Sequence, residues 1–184
     1  PGMHSSQNEQ DSRCYADFAR IICLEPRDQQ QAYEMTREAF DLSERFQVPV
    51  MVRVTTRLAH SRAVVRTTEA RGENPLQRAA DPASWILLPG NARRQWRALL
   101  GRQKEFEAYS ESCRHNVLSL AGTDVGVVTS GIAMNYFLEN VDDMGSRPSH
   151  LHIGAYPAPV EKVRALCAHV KRVLVLEDGY PFVE

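Results

Sequence analysis

The chain lacks the features that define several large classes of protein. Its 22 basic residues are balanced by 23 acidic ones, so the formal net charge is -1, with no positive excess to bind nucleic acid or an anionic membrane. No apolar run approaches the roughly 20 residues of a membrane span. The opening residues, PGMHSS, lack the basic and apolar regions of a signal peptide. We therefore expect a cytoplasmic protein with neither nucleic acid nor membrane as a partner.

Short motifs for metals and nucleotides are also missing. The chain has four cysteines: Cys14, Cys23, Cys113 and Cys167. No two are spaced as CxxC or as a ferredoxin-type run, so we interpret them as lone buried thiols that hold no iron–sulfur cluster. The TSG turn at residues 129–131 is not GxGxxG, which argues against dinucleotide binding. His150 and His152 are interpreted as facing opposite sides of one strand, so the sequence predicts no metal site and no catalytic residue.

What the chain does contain is the pattern of an α/β protein of ordinary composition, 43% hydrophobic and 24% charged. Apolar spacing predicts a helix capped by Asp28 and a longer one from Asn91 to Ser112. In the last third, three short strands alternate with two helices, which indicates right-handed crossovers and a parallel sheet. Strands are predicted at residues 21–24, 48–56, 125–130, 151–155 and 172–177.

The most unusual stretch is HSSQNEQDSR, residues 4–13, in which ten consecutive side chains can form hydrogen bonds. Such a run cannot be core, because no apolar burial offsets the cost of ordering it. It is either a loose terminus or a polar wall that faces a ligand or partner. Composition alone leaves both interpretations open.

A second polar group, TTRLAHSR at residues 55–62, follows a predicted strand at its carboxyl end, where open α/β sheets usually bind ligands. Its arginines could hold a carboxylate or a pyrophosphate. The alternative is solvated side chains or salt bridges to a neighbouring domain. Within the strand, Arg53 requires an edge position or a partner. Glu177, Asp178 and Glu184 could form an acid pair, but they are interpreted as a solvated strand end.

Five segments of the sequence together resemble one known family: MHSSQNEQDSR, VRVTTRLAHSR, LLPGNARRQW, GVVTSGIAMNYFLE and RVLVLEDGYPFVE. They are similar to alpha subunits of indolepyruvate:ferredoxin oxidoreductases, members of the thiamine-diphosphate-dependent 2-oxoacid:ferredoxin oxidoreductase family. The resemblance implies an α/β fold in three parts. Residues 1–66 would be the C-terminal part of a pyrimidine-binding thiamine-diphosphate domain. Residues 67–114 would be a connector with a long helix, and residues 115–184 a transketolase C-terminal-like parallel-sheet domain.

The same resemblance implies an activity. The full enzyme would oxidatively decarboxylate aryl 2-oxoacids such as indolepyruvate to acyl-CoA, with coenzyme A as second substrate and ferredoxin as electron acceptor. It would use thiamine diphosphate with Mg²⁺ and [4Fe-4S] clusters, and would assemble with a second (beta) subunit as a homo- or hetero-oligomer. In the family the catalytic glutamate precedes the polar stretch, whereas the diphosphate motif and the cluster cysteines follow these residues. We therefore expect this chain alone to bind no cofactor and to be inactive.

The resemblance also suggests which side chains lie near the cofactor or substrate, with roles in orientation and carboxylate binding rather than proton transfer. The first group is Ser5, Ser6, Gln7, Asn8 and Arg13. The second is Arg57, His60 and Arg62. The alternative function is a non-catalytic α/β interaction or assembly domain, whose long helix docks a partner.

Overall fold

The computed structural model describes residues 10–75 and 80–184. The helices are α1 (Arg13–Ala19), α2 (Gln29–Phe46), α3 (Thr56–His60), α4 (Pro89–Gly101), α5 (Gln103–Ser112), α6 (Ala133–Asn140) and α7 (Val160–His169). The strands are β1 (Cys23–Leu24), β2 (Met51–Val52), β3 (Val117–Ser119), β4 (Gly122–Ser130), β5 (Pro148–Ile153), β6 (Ala155–Tyr156) and β7 (Arg172–Leu176). Short 3-10 turns cover Pro82–Trp85 and Val141–Met144.

These strands form two sheets, which confirms the predicted α/β class. The smaller sheet has the order β2-β1-β6 and the larger one β3-β5-β4-β7. In the larger sheet β5, β4 and β7 are parallel, as the alternation of strands and helices predicts, and β3 adds an antiparallel edge. In the smaller sheet β1 is parallel to β2 and antiparallel to β6.

The chain changes sheets between β5 and β6, and Asn116 holds this crossing. Its side-chain oxygen accepts hydrogen bonds from the backbone N–H groups of Gly154 and Ala155, both at 2.9 Å. Its amide donates to the Ala155 carbonyl at 2.9 Å. Because β6 pairs with β1, residues from the last third of the chain complete the first sheet. The predicted division at residues 66 and 114 stays a prediction.

Helix α2 forms as predicted. The Asp28 carboxylate caps its start by accepting from the Gln31 N–H at 2.8 Å. Met35, Ala39 and Phe46 share its buried face, and they join a core in which the rings of Phe46 and Phe106 meet edge to face, with centroids 5.2 Å apart.

Two predictions about local structure are wrong. The 48–56 strand shortens to β2, and helix α3 begins at Thr56, because the Thr55 hydroxyl caps it by accepting from the Leu58 N–H at 3.4 Å. The predicted 91–112 helix is two helices that meet at Arg102, and the first begins at Pro89 rather than at Asn91. Proline suits a first helical turn because its fixed φ is already helical.

Helix α4 and the turn before it leave several large apolar side chains exposed, among them Trp85, Leu87, Leu88 and Trp96. No residue of helix α4 is buried. The segment therefore lies on the surface of the described chain. Over residues 10–75 and 80–184, every helix is too short or too polar to cross a bilayer.

Candidate functional site

Charged side chains from both sheets meet at the carboxyl ends of their parallel strands. Glu25 directly follows β1 and Arg53 directly follows β2, while Ser130 ends β4 and Glu177 follows β7. The backbone fixes the first pair, since the Arg53 N–H donates to the Leu24 carbonyl at 2.8 Å. This edge is where open α/β sheets bind their ligands.

Arg13, at the start of α1, lies at the centre of this group and is 1% exposed. Its Nε donates to Asp11 Oδ1 at 2.9 Å, and its Nη1 donates to Ser130 Oγ at 3.2 Å and to Glu177 Oε2 at 2.6 Å. Its Nη2 donates to the Tyr180 carbonyl at 2.9 Å and to Asp11 Oδ2. The guanidinium therefore uses its full set of donors to join α1 to β4 and to the last residues of the chain.

Arg53 forms a second set of contacts beside the first. Its Nη1 is paired with Glu25 Oε1, and its Nη2 donates to the Asp178 carbonyl at 2.7 Å. Its Nε lies 3.5 Å from Asp11 Oδ1, so Asp11 connects the two arginines. The Tyr156 hydroxyl donates to Glu25 Oε2 at 2.8 Å. We call Asp11, Arg13, Glu25, Arg53 and Glu177 the buried ionic cluster.

The electrostatics of the buried ionic cluster follow from its burial. Burial raises the pKa of Glu25, although the charges of Arg53 and Arg13 act in the opposite direction. Burial also acts to raise the pKa of Asp11, but hydrogen bonds from Arg13 and the charge of Arg53 outweigh it, so that pKa is lowered. Since buried charges are tolerated only when they are paired and hydrogen-bonded, each member depends on the others. The cluster is therefore a rigid connection between elements.

Two glycines let the backbone approach this cluster closely. Gly131 has φ +45°, and a Cβ there would lie 2.5 Å from Glu25 Oε1. Gly179 has φ +127°, and a Cβ there would lie 2.7 Å from Asp11 Oδ2. Only glycine combines these backbone angles with such short approaches.

The sequence-predicted site residues fall into three places. Ser5, Ser6, Gln7 and Asn8 lie outside the described residues. Arg13 is in the buried ionic cluster. Arg57, His60 and Arg62 are exposed, on α3 or just after it, and Arg57 donates to the Tyr136 hydroxyl of α6 at 2.5 Å. Whether these side chains line a cofactor or substrate stays a prediction.

Sequence reasoning missed most of the cluster. Arg53 gave a signal, because a charged residue in an apolar strand needs a partner, and that partner is Glu25. The interpretation of Glu177 as solvated is wrong: its side chain is 7% exposed and also accepts from the backbone N–H groups of Phe182 at 3.3 Å and Val183 at 3.0 Å. A glutamate directly after a buried parallel strand could have indicated this position.

The prediction that His150 and His152 face opposite sides of β5 is also wrong. Residues two apart in a strand share a face, and both rings reach Thr129 Oγ1 on β4, His150 Nε2 at 2.9 Å and His152 Nδ1 at 3.0 Å. His150 also stacks on Phe137, with centroids 4.3 Å apart, beside a pocket of about 450 Å³. Burial lowers the pKa of His150 to about 4 and that of His152 to about 3.

The cysteine interpretation is correct in part. All four are free thiols, but only Cys23 and Cys113 are buried, whereas Cys14 and Cys167 are exposed. Burial raises the pKa of the Cys23 thiol to about 12, so it is an inert core side chain.

Comparison with known proteins now assigns the family. Residues 1–95 match the family described as pyruvate flavodoxin/ferredoxin oxidoreductase, thiamine diphosphate-binding. Because the match covers more than half of the chain, this protein belongs to that family, and the resemblance seen in the sequence is confirmed.

Individual relatives agree with this assignment. The chain is 38% identical over 189 aligned residues to the indolepyruvate oxidoreductase subunit IorA of Methanothermobacter thermautotrophicus, and 32% identical over 187 to that of Archaeoglobus fulgidus. Each alignment covers 100% of this chain and 30% of the relative. The fold is similar to a 2-oxoglutarate:ferredoxin oxidoreductase from Magnetococcus marinus, with TM-score 0.58 and 18% identity, over 94% of this chain and 38% of that one. The chain thus spans about a third of the length of its relatives.

Proposed function

We propose that this chain is part of an oxidoreductase that oxidatively decarboxylates aryl 2-oxoacids, indolepyruvate among them, to acyl-CoA and passes the electrons to ferredoxin. The observation that supports this most strongly is the similarity to indolepyruvate oxidoreductase subunits over the entire chain. Family membership independently supports a thiamine diphosphate enzyme. That cofactor supplies the carbanion chemistry which decarboxylation of a 2-oxoacid requires.

The carboxylates of the buried ionic cluster do not suit proton exchange with thiamine diphosphate. A carboxylate that exchanges a proton with the cofactor's aminopyrimidine must be free to reach it. Asp11, Glu25 and Glu177 are instead engaged by Arg13, Arg53 and the Tyr156 hydroxyl. We therefore assign the buried ionic cluster a positioning role. It ties Asp11 and Arg13, which lie at the end of the polar stretch, to the ends of β1, β2, β4 and β7.

The side chains of Ser5, Ser6, Gln7 and Asn8 would then line the cofactor or substrate, with Arg57, His60 and Arg62 as a second group. Asn8 is three residues before Asp11, whose place is fixed by two arginines. The second group follows β2 directly, at the same end of the sheet. Hydrogen bonds from such side chains would orient the 2-oxoacid or bind its carboxylate.

The wider organisation is also part of the proposal. Residues 1–66 would belong to the pyrimidine-binding domain, residues 67–114 to the connector, and residues 115–184 to the transketolase C-terminal-like domain. A beta subunit, ferredoxin, Mg²⁺ and [4Fe-4S] clusters would complete a cytoplasmic enzyme. The clusters would be bound outside the described residues, because the cysteines here are free thiols in separate elements.

An Asn8→Ala exchange in the full enzyme tests the proposed lining. We expect kcat/KM for indolepyruvate to fall by about 10- to 100-fold, because a hydrogen bond to a charged group contributes about 1.5–3 kcal/mol. The assay is steady-state ferredoxin reduction with indolepyruvate and coenzyme A. Arg164→Ala is the matched control, since Arg164 forms an exposed surface pair with Glu161.

Kinetics equal to those of the unmodified enzyme would remove Asn8 from the site. The exposed apolar side chains of α4, Trp96 among them, favour the alternative of an assembly domain. That alternative gains support if light scattering detects a stable complex while exchanges at Asn8 and Arg57 leave turnover unchanged.

A further inference from the structure

Three side chains with metal-binding atoms meet away from the buried ionic cluster. Glu38 lies in the third turn of α2, Cys113 caps the end of α5, and His115 follows two residues later. A carboxylate oxygen, the Cys113 Sγ and a ring nitrogen of His115 lie within 4.8 Å of one another. His115 Nε2 is 2.9 Å from Glu38 Oε2. Segments more than 70 residues apart therefore bring three different ligand types to one point.

The contacts around these atoms resemble those that support a bound metal. The His115 backbone N–H donates to Cys113 Sγ at 3.4 Å, which holds the sulfur in place. The Tyr109 hydroxyl donates to Glu38 Oε1 at 2.9 Å and lies 3.5 Å from Cys113 Sγ. Such outer hydrogen bonds fix the orientation of metal ligands.

The burial of the three side chains also suits an ion. Cys113 is 6% and His115 is 4% exposed, whereas the Glu38 side chain is 22% exposed and leaves one side open to solvent. Arg114 contacts Glu38 Oε2 at 3.1 Å, but its own side chain is 64% exposed and can turn into solvent. A thiolate and a carboxylate together carry two negative charges, which one divalent cation neutralises.

We propose that Glu38, Cys113 and His115 bind one divalent transition-metal ion of the zinc class, with a fourth position open to water. Sulfur and imidazole ligands select zinc over Mg²⁺ and Ca²⁺, which prefer oxygen alone. Ligand atoms in a tetrahedral zinc site are about 3–4 Å apart, which lies within the range of separations in this group. The inference is independent of the function proposed above.

The position of this site gives it a structural role. Glu38 belongs to α2, which packs on the small sheet, and His115 leads into Asn116 and β3 of the large sheet. An ion bound here would join the two sheets on the side of α2 and α5. Because metal binding adds to the free energy of folding, the ion would stabilise this junction.

The test uses the full enzyme, purified under reducing conditions, stripped with a chelator and re-equilibrated with Zn²⁺. Zinc per chain is measured by elemental analysis, which separates it from cluster iron. The zinc-edge X-ray absorption spectrum reports the ligands. We expect one zinc per chain with one sulfur in its coordination shell. Cys113→Ser and His115→Gln should each weaken zinc binding at least about 10-fold, since even loss of an outer partner costs 10- to 100-fold.

Cys167→Ser is the matched control, because Cys167 is an exposed thiol outside the group, and it should retain the zinc and its sulfur ligand. If Cys113→Ser does not fold, His115→Gln and the spectrum of the unmodified enzyme decide. Less than a tenth of an equivalent of zinc in the unmodified enzyme, a spectrum without sulfur, or binding that His115→Gln leaves unchanged would overturn the proposal. Glu38 and His115 would then form a hydrogen bond only.

Discussion

The two histidines of β5 make the stability of this protein depend on pH in a calculable way. His152 is 3% exposed, and its pKa of about 3 reflects burial first and then the nearby His150, Arg27 and His115. His150, with a pKa of about 4, is lowered by burial and by Arg147. Both pKa values lie below the unfolded value of about 6.5. Below pH 6.5 the two histidines are therefore protonated in the unfolded chain but still neutral in the folded chain. The free energy of unfolding falls as the pH drops through this range.

Between pH 7 and pH 5 each histidine stays neutral in the folded chain but becomes protonated in the unfolded one. Linkage gives a loss of about 2 kcal/mol for each, or about 4 kcal/mol together. Urea unfolding at the two pH values measures this loss directly. His152→Asn keeps a polar group near Thr129 and removes one titrating ring, so the loss should shrink by about 2 kcal/mol.

Thr129→Val is the matched control for that experiment. It removes the hydroxyl that both rings contact but leaves both imidazoles buried, so it should lower stability at both pH values and keep the pH dependence. If His152→Asn loses as much stability between pH 7 and pH 5 as the unmodified protein, then His152 is not a buried neutral ring and the reasoning fails.

Two further predictions concern the buried ionic cluster, and urea unfolding tests both. Gly131→Ala should lower the free energy of unfolding by about 3 kcal/mol, because it adds a strained positive φ and a clash with Glu25. Gly145→Ala, at φ +68° in open space, should lower it by only about 1 kcal/mol. Equal losses for the two variants would contradict the role of Glu25. Arg53→Met should lower the free energy of unfolding by about 3–5 kcal/mol, because it leaves Glu25 buried and unpaired. Adding Glu25→Met to this variant should restore most of that loss. Additive effects of the two exchanges would show that Arg53 and Glu25 do not form a pair.

The fold could be predicted as far as local signals determine it. Helix α2 has a capping aspartate and an unbroken apolar face, so its start and its buried side follow from spacing alone. The split between α4 and α5 does not follow from spacing. Gln103 and Ser110 interrupt the row of apolar residues, and the break at Arg102 lies between two segments that are both helical. The move of β6 into the small sheet depends on Asn116, which is 39 residues away from Ala155. Contacts between residues so far apart in the sequence produce no periodic pattern in it.

The buried ionic cluster shows a different limit of prediction from sequence. Charged residues after strands were visible in the sequence, and Arg53 required an edge position or a partner, but nothing local in the sequence identifies that partner. Only the fold determines that Glu25 accepts from Arg53 Nη1, while Glu177, near the end of the chain, accepts from Arg13 Nη1. The error about His150 and His152 has another cause, since strand geometry alone already places them on one face.

The distribution of charge between the two sheets explains why their contact is specific. An apolar junction of the same size would tolerate small shifts, because hydrophobic contact has no direction. Arg13 instead requires acceptors from Asp11, Ser130, Glu177 and Tyr180 at once, and a shift of either sheet by one residue would leave a buried charge unpaired. That penalty, about 3–5 kcal/mol for each broken pair, favours a single register. The polar residues that precede Asp11 would therefore extend from one fixed point, which is what precise orientation of a substrate requires.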